Sequence, residues 1–132
     1  MVQRKTKQRA IIAECFETTE RPLSPAEAHA LAAKTHPSIG IATVYRAVND
    51  LLEEGSLTPI HIGGTTRFEP SNKTHHHHFY CRDCEKVFCL DNCPVPESDL
   101  APRGYKVEDH ALVVSGVCKT CVQDPSREYS PR

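Results

Sequence analysis

The stretch Ile41-Ala42-Thr43-Val44-Tyr45-Arg46-Ala47-Val48-Asn49-Asp50-Leu51-Leu52-Glu53-Glu54-Gly55 decides the fold. Val44, Val48, Leu51 and Leu52 recur at helical spacing, which predicts a helix over 41–54 with one inward face. Gly40 stands before it and Gly55 supplies the C-terminal stop. Two more helices lie upstream. Ile11, Ile12, Cys15 and Phe16 share a face of a helix over about 7–17. In Leu23-Ser24-Pro25-Ala26-Glu27, Ser24 can accept from a free backbone N–H, Pro25 suits the first helical position, and Glu27 completes a capping box. That second helix is expected to run to about Lys34 and to end at His36-Pro37. Downstream, Leu57–Ile62 and Thr65–Pro70 flank Gly63-Gly64, a pair suited to a tight turn that needs positive φ twice. Three helices followed by a hairpin is the layout of a winged helix, whose third helix can enter a DNA major groove.

The rest of the chain has a different chemistry. Pro70-Ser71-Asn72-Lys73 predicts a hinge, and beyond it lie six of the seven cysteines and five of the eight histidines. Strands are expected over 76–81, 86–90, 105–107 and 111–117, while Val95–Arg103 is short and proline-broken, with room for about two helical turns. The domain boundaries are therefore placed at 1–70 for the winged helix, 71–75 for the hinge and 76–132 for the second domain. The fold class is α+β.

Cys81-Arg82-Asp83-Cys84 and Cys118-Lys119-Thr120-Cys121 are two C-x2-C knuckles with 33 residues between them. Each knuckle lets two thiolates approach one ion at about 2.3 Å, and two knuckles make a tetrahedron. Zn²⁺ is the expected ion because it favours sulfur donors, and with all four positions filled its role is structural. His75-His76-His77-His78 runs into the first knuckle. On a strand His76 and His78 share one face and His75 and His77 the other. Glu69 and Cys89 are the nearest partners for the His76/His78 pair. On the opposite face Cys93, Glu97 and His110 are candidates, so that His75, His77, Cys93 and His110 could form an additional site. Cys15 is expected in the core, and His29, His36 and His61 as ordinary surface or packed residues.

Composition limits the functional classes. With 132 residues, 39% hydrophobic and 25% charged, the chain is globular, not fibrous or disordered. No apolar run approaches the ~20 residues of a membrane span, and Met1–Arg9 leads into no signal-type apolar core, which predicts a cytoplasmic protein. Net charge is -1, but residues 1–46 carry seven Lys/Arg against four Asp/Glu and residues 47–132 nine against thirteen. A polyanion would meet the basic N-terminal part. An enzyme, such as a zinc hydrolase built on the histidine cluster, lacks a positioned general base or nucleophile. A zinc buffer would leave the third helix and the basic N-terminus without a role.

The residues resemble the ferric uptake regulator (Fur) superfamily of dimeric, metal-sensing bacterial repressors. The carriers are Gln8-Arg9, Ala42-Thr43-Val44-Tyr45-Arg46-Ala47, Arg67-Phe68-Glu69, His76-x-His78-Phe79-x-Cys81-x-x-Cys84 and Cys118-x-x-Cys121. The resemblance implies a winged-helix DNA-binding domain, a small α/β dimerisation domain and a regulatory metal at their junction. It implies that Arg9, Thr43, Tyr45 and Arg46 contact operator DNA, an inverted repeat bound by the homodimer. It also implies Glu69, His76, His78 and Cys89 as the regulatory ligands. Two departures bear on the metal. Arg21-Pro22 stands where iron and peroxide sensors often have a histidine, and Cys89 stands where they have Glu or Asp. A thiolate in place of a carboxylate, with one ligand fewer, favours tetrahedral Zn²⁺ over Fe²⁺. The chain thus looks most like the zinc uptake regulator branch, with iron, peroxide or manganese sensing as the alternative and a zinc buffer as a distant one.

Overall fold

The computed structural model describes residues 2–74 and 76–126, and in it the chain divides into two compact units, Met1–Lys73 and Thr74–Arg132. In the first unit α1 (Val2–Thr18), α2 (Pro25–Thr35) and α3 (Ile41–Glu53) precede the antiparallel hairpin β1 (Leu57–Ile62) and β2 (Thr65–Pro70). Ile12, Phe16, Leu23, Ala28, Ala32, Ile39, Val44, Val48, Leu51 and Leu57 form its core, closed from the wing side by Phe68. The first helix begins five residues before the expected Lys7, because the polar residues ahead of it are good helix formers that carry no apolar period to read. Cys15 packs on this core half-buried, as expected. The capping box of α2 also forms as expected: Ser24 Oγ accepts the Glu27 N–H at 3.2 Å and Glu27 Oε1 accepts the Ser24 N–H at 3.0 Å.

The hairpin turns on Gly63 and Gly64 at φ 66° and 77°, the left-handed conformation that a two-residue turn requires. Leu23 pairs with Phe68 outside the hairpin, each N–H donating to the other's carbonyl at 3.0 and 2.8 Å, so the wing is stitched to the lead-in of α2. Ser71, expected in the hinge, is held to the first unit instead: its N–H donates to Ser56 O at 3.0 Å and its hydroxyl meets Thr58 Oγ1 at 2.8 Å.

In the second unit β3 (His77–Cys81) is the middle strand, antiparallel to β4 (Val87–Leu90) and parallel to β5 (Val113–Gly116). A single 3-10 turn, Glu97–Asp99, lies in the crossover, and a short α4 (Lys119–Gln123) winds through the second knuckle. The strand expected at 105–107 does not form. Tyr105 follows a turn on Gly104 (φ 90°) and is 72% exposed, so burial does not hold this run on a sheet face. The helix α4 was not foreseen; its five residues are too few to show a period. No helix among the described residues is long and apolar enough to cross a membrane.

Candidate metal centres and nucleic-acid interface

The four knuckle cysteines come together. Cys81 ends β3, Cys84 follows in the turn, Cys118 caps α4 and Cys121 lies within it, and all four sulfurs are within 4.8 Å of one another. Cys84 Sγ and Cys118 Sγ are 3.8 Å apart, which matches the roughly 3.8 Å edge of a tetrahedron of sulfurs at ~2.3 Å from zinc. Burial alone would raise the Cys81 thiol, but N–H donors from Cys84, Cys118 and Asp83 outweigh it and bring it down to about 6. Sγ of Cys81 accepts from Cys118 N at 3.3 Å and from Cys84 N at 3.5 Å, so one sulfur ties both knuckles. Burial and then the neighbouring thiols push Cys121 up to about 12, and burial raises Cys84 as well. One thiolate therefore forms readily and its neighbours resist. A divalent cation removes that conflict, because it makes four thiolates compatible.

A second set lies on the β3–β4 pair. His78 is directly opposite Cys89, and His76 stands one residue before β3 with its ring 4.8 Å from that of His78. The ligand atoms of His76, His78 and Cys89 are all within 4.8 Å of one another. Nδ1 of His76 is 2.8 Å from the Thr74 carbonyl, which can only accept, so Nδ1 carries the proton and Nε2 is the nitrogen suited to ligate a metal. Glu69 is the penultimate residue of β2, in the first unit, and is buried.

Residues pointing the other way meet a different group. His77 is 1% exposed, its ring 4.8 Å from that of His110, and Cys93 Sγ is 3.2 Å from His110 Nε2. Their ligand atoms too lie within 4.8 Å of one another. Nδ1 of His77 accepts the Leu112 N–H at 3.2 Å, which spends that lone pair on the entry to β5. Cys93, Glu97 and His110 line a cavity of about 380 Å³ together with Val95, Glu108 and Asp109. His75 lies outside the described residues.

On the first unit a groove of about 360 Å³ runs between α1 and α3, lined by Gln8, Arg9, Thr43, Arg46, Asn49 and Asp50 among others. Arg46 Nη2 donates to Thr43 Oγ1 at 3.1 Å, one turn back on the helix. Arg9 is ion-paired with Glu54, so its guanidinium already spans α1 and the end of α3. Tyr45 is 53% exposed. His29, His36 and His61 have ordinary local partners: Ile39 O, Thr35 Oγ1 and Thr66 Oγ1. The sequence reading missed a buried network at the base of the wing. Arg67, 5% exposed, donates to Ile62 O at 2.9 Å and turns Nε to 3.8 Å from Glu27 Oε1; Arg21 Nη1 donates to Glu27 Oε2 at 2.7 Å. Strand alternation, which puts Arg67 on the face of Glu69, was the signal that could have found it.

The pattern of the Ferric uptake regulator family matches residues 2–115. A ferric uptake regulation protein of Campylobacter jejuni is 32% identical over 123 residues, covering 88% of this chain and 78% of its own. One from Cupriavidus metallidurans is 33% identical over 129 residues, covering 92% and 90%. Among solved structures, a zinc-bound manganese uptake regulator aligns at a TM-score of 0.75 with 28% identity, across 84% of this chain and 87% of that one. The α+β fold and the helices-then-hairpin unit agree with these likenesses. The chain belongs to the ferric uptake regulator family, and is a metal-responsive transcription regulator rather than an enzyme.

Proposed function

We propose that this protein is a zinc-sensing repressor that binds palindromic operator DNA as a metal-loaded homodimer. The observation that carries the reading is the pairing of His78 with Cys89 across β3 and β4, beside His76. Two imidazoles and a thiolate are a borderline-soft set that suits tetrahedral Zn²⁺ better than Fe²⁺ or Mn²⁺. Glu69 is proposed as the fourth ligand. It lies four residues before the boundary between the units, so a metal it shared with His76, His78 and Cys89 would fix the angle between them and the spacing of the recognition helices. Where iron and peroxide sensors often carry a further histidine, Arg21 is engaged by Glu27.

Cys81, Cys84, Cys118 and Cys121 are proposed to hold a separate structural Zn²⁺ whose binding stabilises the dimerisation domain. Arg9, Thr43, Tyr45 and Arg46 are proposed to meet the operator: Arg46 by phosphate or guanine edge, Tyr45 by thymine methyl or phosphate, and Arg9 by the backbone. His77, Cys93 and His110, with His75, remain a candidate additional site, in which His77 would have to give up its bond from Leu112. Iron sensing is the second reading, favoured by the ferric uptake names of the two relatives. DNA-binding titrations on an inverted-repeat duplex with Zn²⁺ and, anaerobically, with Fe²⁺ separate the two. The parent should respond to Zn²⁺, and Cys89→Ser should keep the structural zinc and lose the response. A Cys89→Ser protein that answers zinc like the parent would overturn the zinc reading.

A further inference from the structure

We infer that Arg67 is a positioning residue for the metal response: it locks the wing strand that carries Glu69 to the start of α2. The inference rests on the reading of Glu69 as a regulatory ligand. Arg67 and Glu69 are two apart on β2, so their side chains leave the same face of the strand, and both are buried. Between them Phe68 is fixed by its two backbone hydrogen bonds to Leu23.

Arg67 adds what backbone pairing cannot supply. Its Nη1 reaches across the hairpin to the carbonyl of Ile62, next to the Gly63-Gly64 turn, while its Nε faces Glu27. Glu27 is itself fixed from two sides, by the Ser24 N–H on one oxygen and by Arg21 on the other. A two-stranded hairpin is marginal alone and free to twist. This one is clamped by a guanidinium buried between a turn carbonyl and a carboxylate that also caps a helix. The clamp fixes the twist of β2, and with it the point at which the Glu69 carboxylate is offered. Arg67 thus contributes one hydrogen bond, from Nη1 to Ile62 O, and a longer ion pair in which Nε lies 3.8 Å from Glu27 Oε1. Partners that orient a ligand typically carry ten- to hundredfold in metal affinity, about the scale expected here.

The test is a cycle on the full chain, with the cysteine site loaded. Zinc affinity is read by competition with a chelator, and folding by thermal melting. Arg67→Met and Glu69→Gln should each weaken the second equivalent of zinc about ten- to hundredfold, and the double variant should be no weaker than Glu69→Gln alone. If Glu69→Gln weakens zinc and Arg67→Met adds its full effect on top, Arg67 acts on stability and not through Glu69, and the inference is overturned. If Glu69→Gln leaves zinc affinity unchanged, the ligand reading of Glu69 has failed. Should Arg67→Met not fold, Glu27→Gln takes its place, since it keeps an acceptor for Ser24 but removes the charge facing Arg67. Parent-like zinc affinity in a folded Glu27→Gln protein would overturn the clamp.

Discussion

Among the described residues Glu85 is the non-glycine residue in the left-handed region, at φ 63°, directly after Cys84 and with its N–H donating to Cys81 O at 2.8 Å. A left-handed non-glycine residue costs roughly 1–2 kcal/mol, part of which glycine's extra unfolded freedom offsets. Glu85→Gly should therefore stabilise the zinc-loaded second unit by about 0.5–1 kcal/mol, measured as a shift in its denaturation midpoint. The cysteines make a sharper prediction. Because Cys81 ionises at about 6 and Cys121 only at about 12, the first equivalent of zinc should displace fewer than four protons at pH 7. At pH 5, where Cys81 is protonated too, the number should approach four and the affinity should fall. Calorimetry in buffers of different ionisation enthalpy counts those protons. Cys118→Ser should lose that zinc, worth on the order of 10 kcal/mol in small zinc modules, and with it the fold of the second unit. A folded, zinc-free Cys118→Ser protein would contradict the structural role.

Among the elements, α2 and the wing share one carboxylate. Burial works against the Glu27 charge, but the Ser24 N–H and the Arg21 guanidinium win and hold its carboxyl below the usual 4.5. A lowered carboxylate contributes stability that is complete above that value and fades as pH falls through the folded one. Glu27→Gln should thus cost about 1 kcal/mol at pH 7 and progressively less below pH 4.5, read by urea unfolding across that range. Elements of this kind were legible because their signals are local: Ser24-Pro25-Ala26-Glu27 caps, Gly63-Gly64 turns, and Val44, Val48 and Leu51 mark a face. The alternation of His76 and His78 with His77 was legible for the same reason. The missing strand at 105–107 was not, since the exposure of Tyr105 is set by tertiary packing that the run itself does not show. Nor was the role of Arg67, whose partner Glu27 is forty residues earlier and looked fully occupied by its cap. Cys89 was legible as a partner for His76 and His78 from its place on the next strand, but that it stands directly opposite His78 depends on register, which neighbouring residues do not announce.

For the whole molecule, charge and metal act on the same output. If operator binding runs through Arg9 and Arg46, its affinity should fall steeply with salt, and Arg46→Ala should cost about 1–3 kcal/mol if that residue reads a base. A salt-dependent titration on matched and scrambled duplexes distinguishes base reading from phosphate contact, since a phosphate contact would be lost equally from both. In the second unit β3 finds its parallel partner β5 only after a long crossover, and the two knuckles are separated by 33 residues. The knuckle site cannot close until the last of its cysteines has been made, whereas every element of the first unit is complete by Pro70. If the four knuckle cysteines hold zinc as proposed, a nascent chain completes its N-terminal unit first and holds the other half open until Cys118 and Cys121 have been made and zinc has arrived. The interval is a window of vulnerability to proteases. In chelator, limited digestion should leave a resistant fragment ending near Lys73, and in a zinc-starved cell the half-life of the protein should shorten. Zinc would then set how long each copy survives as well as how tightly it binds.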